Sequence, residues 1–407
     1  MSEASLSYRQ VLRLADVRRL LLAACLSRLA GRMFLLAIVL HALDRLQSPA
    51  LAGWVAFASL VPGMMISPVA GALLDRVGAA RGILTDMAVS AMLLAALVTA
   101  DRLGAMTPTA LLGLAAVYSL TGPLGAAGIR SLLPRLVPEH ALARANALDT
   151  VSWALTDVLG PLVAGTLSGF AGTDATMLVI AMLYVGASAS LLPLARRTPV
   201  RRTALARSIM REAAAGVAYV ARHPVLRGLA LCYALYQVSW GILLVAVPVV
   251  VMRELGAGPT ADTVIGTLWA VAGTAGAVGA LLAGSLRTHG RERLLIAASA
   301  LATAAAMYPA GLGLAGLALG LTLAGFLSGP VDVGVLTLRP RATDPDRLGR
   351  VLAVSMSLNM SGLPLGSAIA GWVVAPSLAA AFAIAAAAAL LSAAAMLVLV
   401  PRRLASA

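Results

Sequence analysis

Residues 144–165 read RANALDTVSWALTDVLGPLVAG, and residues 350–371 read RVLAVSMSLNMSGLPLGSAIAG. Each stretch opens on an arginine and carries a glycine 16 and again 21 residues later: Arg144, Gly160 and Gly165 in the first, Arg350, Gly366 and Gly371 in the second. Pro138 stands ahead of the first as Pro345 stands ahead of the second. The displacement is about 206 residues, half the 407-residue chain. A looser echo repeats Gly78 and Arg81 as Gly290 and Arg293, 212 residues on. Each echo starts in an arginine-rich loop and runs into a long apolar stretch. The repeated unit is therefore half a chain, and its content is apolar spans.

Composition fixes the solvent. Mean hydropathy is +0.92, 60% of residues are hydrophobic and only 12% are charged. A soluble domain is about a quarter charged, and a water-facing surface cannot absorb this much apolar area. Roughly 20 apolar residues cross a bilayer as a helix, and inside lipid each backbone group must be satisfied within its own segment. The runs are too long for barrel strands. They predict an all-α membrane protein of twelve helices, near 20–43, 51–74, 82–100, 107–129, 146–169 and 174–195, then 226–251, 263–286, 294–310, 312–336, 351–373 and 378–400. Residues 1–195 form a predicted N-terminal six-helix bundle, 196–224 a connector, and 225–407 a second, pseudo-symmetric six-helix bundle. The ninth and tenth spans are separated only by Pro309 and Gly311.

All 31 basic residues are arginine. Arg45, Arg102 and Arg253 lie in one set of loops, Arg28 and Arg32 inside the first span, and the others at the termini and in the alternate loops. The positive-inside rule then puts both termini and the 196–224 connector in the cytoplasm. The net charge of +14 is a topology signal scattered over short loops, which argues against nucleic-acid binding. The connector holds Arg207 and Arg211 one turn apart and reads as a basic amphipathic segment against anionic lipid. Residues 1–19 are polar and basic and lead straight into a full-length span, so the first helix is expected to be retained. Heavy arginine and alanine usage points to a bacterial cytoplasmic membrane. Cys25 and Cys232 fall in spans, with no disulfide or metal spacing.

Three motifs carry mechanism. The first is Gly71-Ala-Leu-Leu-Asp75-Arg76-Val-Gly78-Ala-Ala-Arg81, after the second span. Gly71 allows close helix approach, Gly78 a tight turn, and Asp75 can accept hydrogen bonds or pair with an arginine. The second is Asp157-Val-Leu-Gly160-Pro161-Leu-Val-Ala-Gly165, where Pro161 removes one helix hydrogen bond and the glycines leave a smooth face. The third is the loop from Arg130 through Pro134, Arg135, Pro138 and Arg144 to Asn146, with its counterpart Arg222-His223-Pro224 before the seventh span. These motifs resemble those of the major facilitator superfamily, and the third resembles its bacterial drug, macrolide and siderophore exporters. The resemblance implies that Gly71, Asp75, Arg76, Gly78 and Arg81 latch the two halves on the cytoplasmic side. It also implies that Asp157, Gly160, Pro161 and Gly165 form an antiporter-type helix. Ala79 stands where the family carries a basic residue, Arg287 aligns with Asp75 in the second half, and Ser152 and Thr156 replace further glycines.

Charges within the membrane cost a few kcal/mol and face a cavity or a partner. Arg28 and Arg32 share one helix face, and Asp157 and Asp332 are the deepest carboxylates; either Asp is a candidate for proton coupling. The seventh span presents Tyr233, Tyr236, Gln237 and Trp240 on one stripe, either lining a substrate cavity or packing between helices. With Arg28, Arg32 and Tyr118 they suggest an anionic or amphipathic organic substrate. No catalytic constellation, metal-ligand set or phosphate-binding Gly-Lys loop is present in the sequence. The expectation is therefore a monomeric transporter rather than an enzyme, surrounded by lipid, without cofactor or metal, and driven by a proton gradient. Three functions remain open on sequence grounds: an exporter working by proton antiport, an importer or facilitator on the same fold, and a membrane receptor. Labelling of single cysteines engineered into 196–224 checks the topology: only a reagent that crosses the membrane should reach them in intact cells.

Overall fold

The computed structural model describes residues 7–197, 217–285, 290–343, 355 and 358–401. These residues form thirteen named helices and no strand. They are α1 (Tyr8–Arg13), α2 (Ala15–Leu46), α3 (Pro49–Ala58), α4 (Val61–Val77), α5 (Ala79–Arg102), α6 (Pro108–Leu136), α7 (Glu139–Arg197), α8 (Pro224–Leu255), α9 (Pro259–Ser285), α10 (Glu292–Ala310), α11 (Gly313–Arg341), α12 (Gly362–Val373) and α13 (Leu378–Leu399).

Among the described residues, ten segments are long and apolar enough to cross a membrane. One of them, His140–Arg197, is two spans joined end to end, because Gly172 sits at φ +84 and breaks the helix there. The shorter apolar helix α12 stands where the eleventh span is expected, which accounts for the twelve. The fold is that of an all-α membrane protein.

The helix ends follow local chemistry. Thr107 and Ser377 cap α6 and α13 by accepting from the amides of Ala110 and Ala380, at 3.2 and 3.1 Å. Pro108, Pro224 and Pro259 stand at first helical positions, where a missing N–H costs nothing. The sharp turn between α4 and α5 rests on Gly78 at φ +88, and its repeat Gly290, just ahead of α10, has φ +78. Both are left-handed conformations that disfavour a Cβ, which explains why this pair recurs in the two halves. Between α10 and α11 the chain turns over 311–312, with Gly313 at φ +84.

Packing divides the chain into two compact units, Met1–Ala37 with Ala58–Ile209 and Ile38–Phe57 with Met210–Ala407. Residues 38–57, assigned to the N-terminal bundle on sequence grounds, pack within the second unit. Small residues are the reason: a Cβ on Gly53 would lie 2.3 Å from the Ser367 carbonyl oxygen, so α3 lies directly on α12. The connector's residues 198–216 lie outside the described residues; 217–222 are helical.

In the first unit α5 packs against α6 and α7, and α4 against α6. In the second, α9 and α10 flank α11, while α12 and α13 flank α8. The second unit is held by backbone-to-backbone approach at glycine. A Cβ on Gly329 would stand 2.2 Å from the Ala280 nitrogen, and one on Gly366 2.1 Å from the Val238 carbonyl oxygen. Such contacts suit lipid, where packing rather than water expulsion drives helix association. A Gly329→Val variant should therefore be less stable by roughly 1–3 kcal/mol or more, read as a lower Tm of detergent-solubilised protein, while Gly113→Val, at a position with open space around it, should leave Tm unchanged.

Candidate functional site

In the first unit α2 and α7 face each other with matched four-residue spacing. α2 carries Arg28 and Arg32; α7 carries Asp149, Trp153 and Asp157. The Arg28 guanidinium pairs with the Asp149 carboxylate at 2.7 Å and donates to the Ser152 hydroxyl at 2.5 Å and to the Asp149 carbonyl at 3.2 Å. Arg32 pairs with Asp157 at 2.5 Å. Trp153 lies between the pairs, its ring 4.5 Å from the Arg28 guanidinium carbon and 5.5 Å from that of Arg32. The two helices come this close because Gly160 has no side chain: a Cβ there would sit 2.4 Å from the Arg32 Cβ.

The two pairs differ in exposure. The Arg28 and Asp149 side chains are 7% and 18% exposed, those of Arg32 and Asp157 40% and 48%. Arg28 is locked and serves structure. Arg32 is open on one side, so an incoming anion can compete with Asp157 for it, and the Trp153 face offers a flat apolar surface beside the charge.

The other residues singled out in the sequence distribute as follows. Tyr118 on α6 is half-buried; its hydroxyl lies 2.5 Å from that of Tyr184, and its ring is 3.9 Å from that of Phe34. In the second unit the Tyr233 hydroxyl donates to Asp332 at 2.6 Å. Tyr236 is only 1% exposed and sits in the apolar core of that unit, its hydroxyl 3.3 Å from that of Thr303. It is therefore a packing residue in this structure, not a lining one. Gln237 reaches the Met360 sulfur, and Trp240 packs on Trp269 with ring centroids 6.0 Å apart. The α8 stripe thus fans over α9, α10, α11 and the residues leading into α12. Of the loop motif, Arg76 and Arg81 are exposed and Gly78 makes the turn; Gly71 and Asp75 fall on α4, but their side-chain surroundings lie outside the described residues. Pro161 lies inside α7 and Gly165 is buried.

Sequence reading missed Trp153 and the partner of Arg28. The signal was the spacing of Asp149, Trp153 and Asp157 at i, i+4 and i+8, the same period as Arg28 and Arg32.

The model of the Major Facilitator Superfamily matches residues 20–227 and 229–407. The chain belongs to the major facilitator superfamily. An uncharacterized MFS-type transporter of Sinorhizobium fredii, y4rN, is 49% identical over 387 residues, covering 94% of each chain. Among solved structures, a POT family transporter in complex with 5-aminolevulinic acid superposes with a TM-score of 0.74 at 10% identity, covering 94% of this chain and 95% of that one. The nucleoside transporter NupG superposes with a TM-score of 0.72 at 13% identity, covering 94% and 98%. Likeness at this identity speaks for the fold alone. Superfamily membership makes this chain a multi-pass membrane transporter rather than an enzyme.

The unequal exposure of the two ion pairs gives a contrast to measure. Asp149→Asn strands a buried guanidinium and should cost about 3–5 kcal/mol, seen as a marked fall in Tm. Asp157→Asn leaves a half-exposed guanidinium without its partner and should cost less than Asp149→Asn. Equal losses would mean that the two pairs are equally structural.

Proposed function

We infer that this transporter exports a small organic anion or amphipathic molecule across the bacterial cytoplasmic membrane by alternating access, with inward proton movement as the energy source. The observation that carries this reading is the Arg32–Asp157 pair, half-exposed within the spans and flanked by the face of Trp153. A carboxylate, sulfonate or phosphate group on the cargo would take the place of Asp157 on Arg32, and an aromatic or aliphatic body would lie against Trp153. Cargo and Asp157 therefore compete for one guanidinium, and Asp157 re-forming its pair with Arg32 expels the cargo. Asp332, which accepts from the Tyr233 hydroxyl, is the candidate carboxylate of the second unit.

The direction of transport is supported by the resemblance of the Gly160-Pro161 and Gly165 pattern to antiporter helices. The cytoplasmic placement of both termini is supported by the arginine distribution. Neither cofactor nor resident metal is needed for such a cycle, and one chain carries both units, in keeping with a monomer among lipids.

Flux in proteoliposomes under a pH gradient separates the alternatives whatever the insertion orientation. With a panel of organic anions and amphipathic cations, antiport should accumulate the transported compound on the acidic side. Accumulation on the alkaline side would mean symport and uptake, and flux indifferent to the gradient would mean facilitation. Arg32→Gln should abolish transport of the anionic members; their unchanged transport would remove Arg32 from the site.

A further inference from the structure

In the second unit α10 packs against α13 and runs opposite to it. Arg293, at the start of α10, meets Met396 and Leu397 near the end of α13. A Cβ on Gly311, just past α10, would lie 3.7 Å from the Phe382 ring near the start of α13. The two helices enclose a groove of about 440 Å³. Leu301 and Leu390 wall it, 55% and 47% exposed, and Ala298, Ala302, Ala305 and Ala386 line it. Arg291, Leu294, Ala298, Leu301, Ala305 and Tyr308 are all exposed and follow one another at three or four residues, so the groove belongs to a single outward stripe of α10.

In a bilayer such a stripe faces hydrocarbon. An apolar groove there is filled by a lipid chain or by another helix, because a void forfeits the contacts of every atom that lines it. Depth favours a chain. At about 1.5 Å per residue, the groove runs from about 8 Å to about 18 Å beyond Arg293 along α10, and from about 10 Å to about 17 Å beyond Leu397 along α13. Half of a hydrocarbon core is about 15 Å. The groove therefore covers the depth of an acyl chain of one leaflet, with its arginine end toward the headgroups.

That end is positively charged. Arg291 is exposed, and no ion pair among the described residues includes it or Arg293. Arg293 donates to the Met396 and Leu397 carbonyls, neutral acceptors that orient the guanidinium at the end of α13 without cancelling its charge. Glu292, between the two arginines in sequence, is buried and committed to Arg341 at 2.6 Å, so it neutralises neither. A phosphodiester with net negative charge matches two such guanidiniums, whereas a zwitterionic headgroup brings its own cation against them.

We propose that the groove between α10 and α13 binds one anionic phospholipid, its phosphate held by Arg291 and Arg293 and an acyl chain laid along the alanines as far as Ala305 and Ala386. The lipid fastens the start of α10 to the end of α13. The site is independent of the cargo reading, since neither Arg32 nor Asp157 takes part in it.

Native mass spectrometry of the full-length protein, released from detergent containing equal phosphatidylglycerol and phosphatidylcholine with the same chains, counts the bound lipid. The wild type should retain phosphatidylglycerol in preference. Arg291→Gln should lower that preference about fivefold, and Arg291→Gln/Arg293→Gln should abolish it. Arg135→Gln, at an exposed arginine of the first unit, should leave it unchanged. Ala298→Leu/Ala305→Leu fills the groove and should lower retention of phosphatidylglycerol although both arginines remain. An unchanged preference in Arg291→Gln/Arg293→Gln overturns the proposal. So does undiminished retention in the filled variant, the mark of attraction by charge alone. Wild-type dimers that Ala298→Leu/Ala305→Leu abolishes would assign the groove to a second copy of the chain and overturn it as well. If the double arginine variant does not fold, a wild-type preference in Arg291→Gln has the same force.

Discussion

A guanidinium inside lipid has to find a carboxylate, and this requirement organises the first unit. Arg28 is the strictest case. It is nearly buried, so Asp149 must be one interhelical distance away and Ser152 and the Asp149 carbonyl must occupy its remaining donors. That fixes the rotation and axial register of α2 against α7. Once the register is fixed, residues one turn further along each helix also meet. Arg32 and Asp157 are brought together by the same geometry, with Trp153 between the pairs. Gly160 completes it by removing the side chain that would hold the helices apart at Arg32. A locked pair thus positions an open one, and the open one has the exposure that recognition needs.

The second unit uses a different material for the same end. Its helices approach at glycine, with carbonyl oxygens and amides of one helix where the Cβ of the other would have been. Polar contacts there include Ser239 to the Ala385 carbonyl, Cys232 beside Ser392 and Tyr233 to Asp332, and the Arg339 side chain is itself buried. Arg341 meets Glu292 at 2.6 Å, and Arg293 donates to the carbonyls of Met396 and Leu397 near the end of α13. Arg293 is the echo of Arg81, yet Arg81 is exposed. Duplication preserved the glycine that turns the chain, because backbone conformation demands it, while the arginine is exposed in one half and half-buried in the other.

This difference explains what could be read from the sequence. Span lengths, the repeat and the arginine distribution depend on bulk solvent, and the helix order follows from them. The turn at Gly78 is legible in the sequence and Gly290 repeats it; the turn marked by Pro309 and Gly311 stands two residues from Gly313. Span ends say nothing of which neighbours they pack on, so residues 38–57 were grouped by chain order and not by contact. The α8 stripe shows the limit for sites. Tyr233, Tyr236, Gln237 and Trp240 share a face in projection, but a face about 100° wide spans several neighbours in a bundle, and Tyr236 lies in its core. Trp153 failed to register for the opposite reason: aromatic and charged groups were read separately, and only their common spacing joins them.

Three carboxylates of the first unit form a graded series. Asp149 is committed to a buried cation, Asp157 to a cation that a competing anion can reach, and Asp86 to no cation among the described ion pairs. For an acid to carry a proton usefully, its two protonation states must lie close in free energy at some point of the cycle. A permanent ion pair fixes the ionised state, and isolation in an apolar core favours the neutral one. Coupling therefore requires a group whose surroundings change, and on the proposed reading Asp157 is that group, because Arg32 can be taken from it.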